Sequence, residues 1–131
     1  MTKKFVASLE SFEKFNSFIE EFLKESKCNS SLINKILISC EEIFINICKY
    51  AYKKSKGDIF LDIRLNMGKI IIEIQDFGIP FDSTSYVSKT VDRTKKIGGL
   101  GIFLVKRLMD EVKYSRVDGK NILTIIKRME G

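Results

Sequence analysis

Glu42 and Asn46 lie four residues apart in the segment EEIFINICKYAY, residues 41–52. On a helix this spacing puts the carboxylate and the amide on one face, which Lys49 and Lys53 continue. An amide oxygen suits Mg²⁺, Lys49 can neutralise phosphate, and Glu42 can accept a proton from an attacking hydroxyl or water. If this helix stood alone, an ordinary solvent-facing strip with a Glu–Lys pair would be the better interpretation.

A second acidic candidate, Asp76, ends the apolar run 70–75 and opens DFGIPFD, residues 76–82. In this turn Gly78 permits a positive φ and Pro80 fixes the exit of the chain. A carboxylate buried there needs hydrogen-bond donors, and the exocyclic amine of adenine is one candidate. The alternative is a turn aspartate that accepts backbone N–H bonds.

Glycines cluster at the start of GGLGIFLVKRLMDEV, residues 98–112, where a loop becomes a helix. Backbone N–H groups at such a helix start attract phosphate. The cluster is weak evidence by itself, because glycines also end loops and allow close packing. The P-loop pattern GxxxxGK[ST] is absent, and GGLG lacks the third glycine and the βαβ context of a dinucleotide fold. Together the three segments predict a nucleotide pocket whose phosphate site is of another kind.

The bulk composition is that of one soluble globular domain. The 131 residues fit a single domain, 1–131, and the net charge is +6. Basic residues are scattered with no aromatic-interleaved run, which disfavours direct nucleic-acid binding and favours solvated lysines. A cationic pocket or a negatively charged partner protein would draw on the same excess, so charge alone does not choose.

Cysteine and histidine usage excludes a zinc site in practice, because three unpaired cysteines are present without CxxC spacing and there is no histidine. Cys40 and Cys48 are expected to be small buried groups in a reducing compartment. The first residues have no apolar signal core, and the longest uncharged run, 97–105, is shorter than the about 20 residues that span a bilayer. We therefore expect a cytoplasmic protein without membrane contact.

Hydrophobic periodicity predicts the order β-α-α-β-β-α-β-β, an α+β domain with two layers and a mainly antiparallel mixed sheet covered on one face by helices. The first helix would be capped by Ser8 or Ser11 and the second by Asn29 or Ser30. The expected elements are a short edge strand at 5–7, a helix at about 10–26, a longer helix through residue 47, a hairpin of strands 58–66 and 70–75 turning at 66–69, a helix at 100–108, and strands at about 112–117 and 121–128 turning at Asp118-Gly119.

The three segments, in their order and spacing, resemble the N, G1 and G2 boxes of the ATPase superfamily shared by gyrase, heat-shock chaperones, histidine kinases and mismatch-repair ATPases. The small size, DFGIPFD, the short lid and GGLGIFLVKRLMDEV look most like bacterial anti-sigma factors with serine/threonine kinase activity. The resemblance covers essentially the whole chain and implies the Bergerat-type ATP-binding fold.

By position, the resemblance makes Glu42 the general base, Asn46 the Mg²⁺ ligand and Asp76 the residue that reads adenine. Residues 83–97 would be the ATP lid, from which Thr90, Arg93, Thr94, Lys95 or Lys96 would reach the terminal phosphate. The expected nucleotide-binding set is Asn46, Lys49, Asp76, Gly78, Pro80, Thr94, Lys96, Gly98, Gly99, Leu100 and Gly101.

Two features narrow the choice within the superfamily. Histidine kinases usually have asparagine where Glu42 stands and need a phospho-acceptor histidine, so autophosphorylation on histidine is excluded. Tyr50 stands where the anti-sigma family often has histidine, and Pro80 replaces a glycine of many relatives.

The resemblance implies a homodimeric kinase that transfers the γ-phosphoryl of ATP to a serine or threonine of a small anti-sigma factor antagonist and otherwise sequesters a sigma factor. The alternative is a non-catalytic binding module of the same fold, in which ATP only orders the lid and so changes the affinity for a partner. A structural domain with accidental motifs would need three independent coincidences in order.

Overall fold

A computed structural model describes residues 1–52, 57–82, 84 and 98–129 of the chain. The predictions for Lys53, Thr90, Arg93, Thr94, Lys95 and Lys96 lie outside these residues. The described elements are β1 (Thr2–Val6), α1 (Phe12–Glu25), α2 (Ser30–Asn46), a π-helical turn (Ile47–Ala51), β2 (Asp58–Asn66), β3 (Lys69–Asp76), α3 (Gly98–Leu108), β4 (Glu111–Val117) and β5 (Lys120–Arg128). The predicted element order is confirmed; the first strand starts earlier than expected and the second helix continues into the π-helical turn.

Of the predicted side-chain caps, the one at α2 is formed and the one at α1 is not. Asn29 caps α2, because its Oδ1 accepts a hydrogen bond from the N–H of Leu32 at 2.8 Å. A 3₁₀ turn, Leu9–Ser11, precedes α1, and neither Ser8 nor Ser11 makes a side-chain capping bond. Asn29 is therefore the cap confirmed for α2, whereas the predicted serine cap of α1 is not formed.

The five described strands form one sheet in the order β1-β2-β3-β5-β4. Its four pairings are all antiparallel, so no parallel pair of a mixed sheet occurs among the described strands. Both predicted hairpin turns are present, with positive φ at Met67 and Gly68 and at Asp118 and Gly119. Two successive left-handed residues give the turn whose twist matches that of the flanking strands.

One face of the sheet is apolar and carries the helices, which gives the two-layer α+β arrangement. Every second residue of the inner strands points to the helices, and these residues are at most 7% exposed: Ile59, Leu61, Ile63, Ile70, Ile72, Ile74, Leu123 and Ile125. The helices cover them with Phe15, Ile19, Leu23, Ile36, Ile43, Phe44, Ile102 and Val105. Asp76 and Asn121 continue the inward rows of β3 and β5 as buried polar residues.

The cysteines take no part in cross-links. Cys40 is buried and Cys28 and Cys48 are half-buried, all three as free thiols. Burial raises the pKa of each thiol, which keeps it protonated. In the described part of the chain no helix has the length and apolar character needed to cross a membrane.

Candidate functional site

The helix that carries Glu42 and Asn46 changes its winding directly after Asn46. α2 continues into the π-helical turn Ile47–Ala51, which takes more residues per turn than an α-helix. The α-helical spacing that extends the polar face to Lys49 therefore does not hold beyond Asn46. Lys49 is exposed, yet its charge lies near enough to lower the pKa of Glu42.

Asp76 is buried at the end of β3, with 3% of its surface exposed. Its Oδ1 accepts hydrogen bonds from the N–H of Gly78 and from Nδ2 of Asn121, both at 2.9 Å. Among the described residues, Oδ2 accepts none. Burial raises the pKa of Asp76, while these two bonds and the charge of Arg116 oppose the rise. The carboxylate is thus both a turn aspartate and a buried acceptor with one oxygen unused.

Gly78 is needed for close packing and not for a positive φ, which corrects the sequence-based reason for this glycine. A Cβ at Gly78 would lie 2.6 Å from the carbonyl carbon of Ala51 and closer still to its oxygen. The same oxygen accepts the N–H of Ile79 at 2.9 Å, and Arg116 Nη1 donates to the Gly78 carbonyl at 2.8 Å. The backbone after β3 is therefore fixed against the end of the π-helical turn.

Two tyrosines that flank Ala51 fasten the same segment. The hydroxyl of Tyr52 donates to the Asp58 carbonyl at 2.6 Å and accepts the N–H of Phe77 at 2.8 Å. The ring of Tyr50 stacks on Phe81, with 5.2 Å between ring centroids. Sequence reasoning missed the role of Tyr52, because only the three-dimensional path of the chain brings residues 52 and 77 together.

Asn121 is a second site residue that sequence reasoning missed. It lies opposite Asp76 in the pairing of β3 with β5 and is 4% exposed. One signal was available: it shares the inward phase of Leu123 and Ile125, where a polar side chain needs a partner. The identity of that partner depends on the register between the strands.

Glu42 lies against α3 at Gly101. A Cβ at Gly101 would lie 2.9 Å from Cδ of Glu42 and would overlap Oε2, so the glycine makes room for the carboxylate. Within the described residues, Glu42 takes part in no hydrogen bond or ion pair. Burial raises its pKa, Glu41 raises it further, and Lys49 lowers it. An unpaired carboxylate with a raised pKa has the properties of a general base.

Asn46 is 4% exposed, and its amide makes no side-chain hydrogen bond in the described part of the chain. Asn46 and Asp76 line the same cavity of ≈ 20 Å³, together with Ile43, Ile47, Phe81, Tyr114, Asn121 and Leu123. An amide oxygen without a hydrogen bond to any described residue fits Mg²⁺, which takes one or two protein ligands and completes its shell with water and phosphate. The cavity is water-sized, so a larger ligand requires its walls to move.

A larger cleft of ≈ 730 Å³ is lined by Tyr52, Phe60, Phe77, Ile79 and Arg116 among others. Gly78 and Pro80 of the predicted nucleotide-binding set line it, but Asn46 and Asp76 do not, and Glu42 lines neither cavity. The chemistry therefore favours the smaller cavity, because Asn46 and Asp76 both line it.

None of the other described residues of the predicted site is among those that line this cavity. Gly98, Gly99 and Leu100 form the start of α3, and Pro80 is exposed in the turn after β3. The structure brings Asn46 to Asp76 and Glu42 to Gly101, while Thr94 and Lys96 lie outside the described residues.

Known proteins share this architecture. The family model of the histidine kinase-like ATPase domain matches residues 5–127. The chain is 30% identical over 98 residues to the serine-protein kinase RsbW of Bacillus cereus (strain AH820), a match that covers 70% of this chain and 61% of that protein. RsbW of Bacillus thuringiensis (strain Al Hakam) is 28% identical over 99 residues, with the same coverage. The chain thus spans about three fifths of the length of these relatives.

Solved structures show the same fold. The RsbU and RsbW domains of a Mycobacterium tuberculosis protein superpose with a TM-score of 0.70 at 19% identity, covering 98% of this chain and 32% of that one. The SiaB–SiaC complex from Pseudomonas aeruginosa gives a TM-score of 0.62 at 13% identity, covering 97% and 88%. Because the family model matches nearly the whole length of the chain, the chain belongs to the histidine kinase-like ATPase domain family.

Proposed function

We propose that this chain binds ATP and Mg²⁺ and transfers the γ-phosphoryl group to a serine or threonine of a small anti-sigma factor antagonist. The observation that carries the proposal is the carboxylate of Glu42, which has no hydrogen-bond or ion-pair partner among the described residues. It lies against the first turns of α3, one helical turn from the amide of Asn46, which also has no side-chain hydrogen bond to a described residue. The similarity to proteins named serine-protein kinase RsbW supports the class of reaction.

In this proposal the residues divide the ligand between them. Oδ2 of Asp76 accepts a hydrogen bond from the exocyclic amine of adenine, and Asn46 would hold Mg²⁺ through its amide oxygen. The ion, when bound, neutralises charge on the phosphates. The backbone N–H groups of Gly98 and Gly99 at the start of α3 bind phosphate oxygens. Lys49, Gly78, Pro80, Leu100 and Gly101 complete the described part of the set, and Thr94 and Lys96 are proposed from a lid at 83–97.

In the proposed transfer step, Glu42 acts as the general base. The hydroxyl oxygen of the partner forms a bond to the γ-phosphorus as the bond from that phosphorus to the bridging oxygen breaks, and ADP leaves. The hydroxyl proton passes to Glu42. Positioning and neutralisation of charge account for most of the catalysis in such a transfer.

The rest of the proposal follows the family resemblance. The single domain, residues 1–131, would act as a cytoplasmic homodimer that sequesters a sigma factor when it is not bound to the antagonist. Phosphorylation of the antagonist would then determine which of the two partners is bound.

A second candidate function is a non-catalytic switch in which ATP changes partner affinity. One observation favours it: the cavity between Asn46 and Asp76 holds ≈ 20 Å³, so nucleotide entry must displace its walls. Phe81, in the wall, leads directly towards residues 83–97. Ligand binding would thereby be coupled to a change of conformation.

The experiment begins with calorimetric titration of a non-hydrolysable ATP analogue into the protein, with and without Mg²⁺. The wild type and the Glu42→Gln variant are then incubated with γ-labelled ATP and the antagonist-domain proteins of the host. Transfer by the wild type alone supports the kinase, and binding without any transfer supports the switch. No binding at millimolar nucleotide would overturn both.

A further inference from the structure

The amide of Asn121 is saturated by four internal hydrogen bonds. Its Nδ2 donates to Oδ1 of Asp76 at 2.9 Å and to the carbonyl of Ile79 at 2.8 Å. Its Oδ1 accepts the N–H of Phe81 at 3.1 Å and the hydroxyl of Tyr114 at 2.6 Å. An asparagine amide has two donors and two acceptor positions, so none is left for a ligand.

The orientation of this amide follows from its neighbours. The Ile79 carbonyl can only accept and the Phe81 N–H can only donate, so Nδ2 must face the first and Oδ1 the second. The Tyr114 hydroxyl must then be a donor to Oδ1. An aspartate here would lack both donors, and a threonine would supply one donor where two are used.

Asn121 thereby determines which oxygen of Asp76 is available. Oδ1 already accepts the N–H of Gly78, and the bond from Asn121 occupies it a second time. The carboxylate plane is held at one oxygen by groups from two directions, which leaves Oδ2 as its unused acceptor among the described residues.

We infer that Asn121, braced by Tyr114, is a positioning residue that holds the carboxylate of Asp76 for selection of adenine over guanine nucleotides. The inference rests on the proposed function, in which Oδ2 of Asp76 accepts the amine of adenine. Guanine presents a carbonyl oxygen at the corresponding position, which a fixed carboxylate oxygen repels. A carboxylate that can turn has a weaker preference, because its oxygen can move away from that carbonyl.

The same bond lowers the pKa of Asp76 and so opposes the larger effect of burial. Arg116 and Tyr114 face Asp76 from β4, and Tyr52 faces it from the end of the π-helical turn. With these groups unchanged, removal of the Asn121 donor takes away a bond that favours the ionised carboxylate, so the pKa of Asp76 rises further. ATP affinity should then begin to fall at a higher pH than in the wild type as the pH is lowered.

The test measures the affinities of ATP and GTP by calorimetry across pH for the wild type, Asn121→Ala and Tyr114→Phe. Thr124→Ala is the matched control, because Thr124 lies on β5 in the opposite phase from Asn121. We expect Asn121→Ala to lower the ATP-to-GTP affinity ratio about 10-fold or more and to move the acid limb to higher pH. Tyr114→Phe should lower the ratio about 2- to 10-fold, and Thr124→Ala should leave it unchanged.

Equal loss of ATP and GTP affinity with an unmoved pH limb would show a merely structural role and overturn the inference. A wild type that binds ATP and GTP equally would overturn it as well. If Asn121→Ala does not fold, Tyr114→Phe decides alone, since it keeps the ring and removes only the brace. Absence of any nucleotide binding by the wild type is a different outcome, because it overturns the proposed function itself.

Discussion

The two ends of the candidate site are built differently. At the Asp76 end, a Cβ on Gly78 would meet the backbone of Ala51. At the Glu42 end, a Cβ on Gly101 would meet the carboxylate tip of a side chain. A backbone carbonyl cannot move without shifting the elements that it joins, whereas a glutamate tip can change rotamer.

The difference separates two kinds of function. The Asp76 end is held by hydrogen bonds to Asp76 from Gly78 and Asn121 and by the bond from Phe77 to Tyr52, so the proposed recognition there would be coupled to the stability of the fold. The Glu42 carboxylate has no such bond within the described residues, so its reactivity can be altered without unfolding the chain. A fixed acceptor and an adjustable carboxylate thus lie on one pair of helices and one strand end.

The largest expected effect is on phosphoryl transfer in Glu42→Gln. Loss of a general base lowers transfer about 10²- to 10⁴-fold. The ATP affinity and the melting temperature should stay close to wild type, because Glu42 has no hydrogen bond to a described residue. Single-turnover assays measure phosphoryl transfer to the antagonist, and calorimetry measures the ATP affinity and the melting temperature. A parallel loss of ATP affinity would place Glu42 in binding instead. Glu41→Gln is the matched control, since it removes a neighbouring carboxylate of the same helix.

Asp76→Asn should lower ATP affinity about 30- to 150-fold, because an amide N–H₂ would replace the accepting Oδ2. The stability of the folded variant, by contrast, should be equal to or higher than that of the wild type. The folded-state pKa of Asp76 is raised by burial, so the stability present below the ordinary carboxyl pKa is lost as pH rises through the raised value. A neutral side chain avoids that loss, and we expect an equal or higher melting temperature at neutral pH. A large fall in melting temperature would show instead that Asp76 mainly holds the fold together.

Local pattern was sufficient to predict most of the fold. Alternating apolar residues gave β2 and β3, and the turns at Met67-Gly68 and Asp118-Gly119 followed from their residue types. The π-helical turn after Asn46 was not predictable, because the residues 47–51 are compatible with an α-helix and tertiary packing decides the winding.

The relative placement of site residues was predictable within one segment of the chain but not between segments. Spacing alone puts Glu42 and Asn46 on one helix face. Other contacts depend on strand register and helix packing, which no single segment encodes. They are the hydrogen bonds between Asp76 and Asn121 and between Tyr52 and Phe77, and the contact of Glu42 with Gly101. The prediction that Gly78 is needed for a positive φ was wrong for the same reason, because the backbone that packs against it belongs to Ala51, which is distant in sequence.

A pair of identical substitutions tests the contrast directly. Gly78→Ala should reduce the free energy of unfolding by about 1–3 kcal/mol, because the new methyl group overlaps backbone. Gly101→Ala lies inside α3, where alanine favours the helix by up to about 1 kcal/mol, so stability should hold or rise while the displaced Glu42 loses transfer activity. Chemical denaturation and transfer assays measure both. Equal destabilisation by the two variants would remove the distinction between the ends.

The smallest effect expected is a shift in the pH dependence of transfer. Burial and the neighbouring Glu41 raise the pKa of Glu42, and the ionised form is the base, so the rate should rise with pH through a limb above the ordinary range of a carboxyl group. Glu41→Gln removes one of the raising causes and should move the limb to lower pH. Lys49→Met removes the lowering cause and should move it to higher pH. Opposite displacements by two neighbours on one helix would identify Glu42 as the titrating group, whereas a limb that neither variant moves would assign the titration elsewhere.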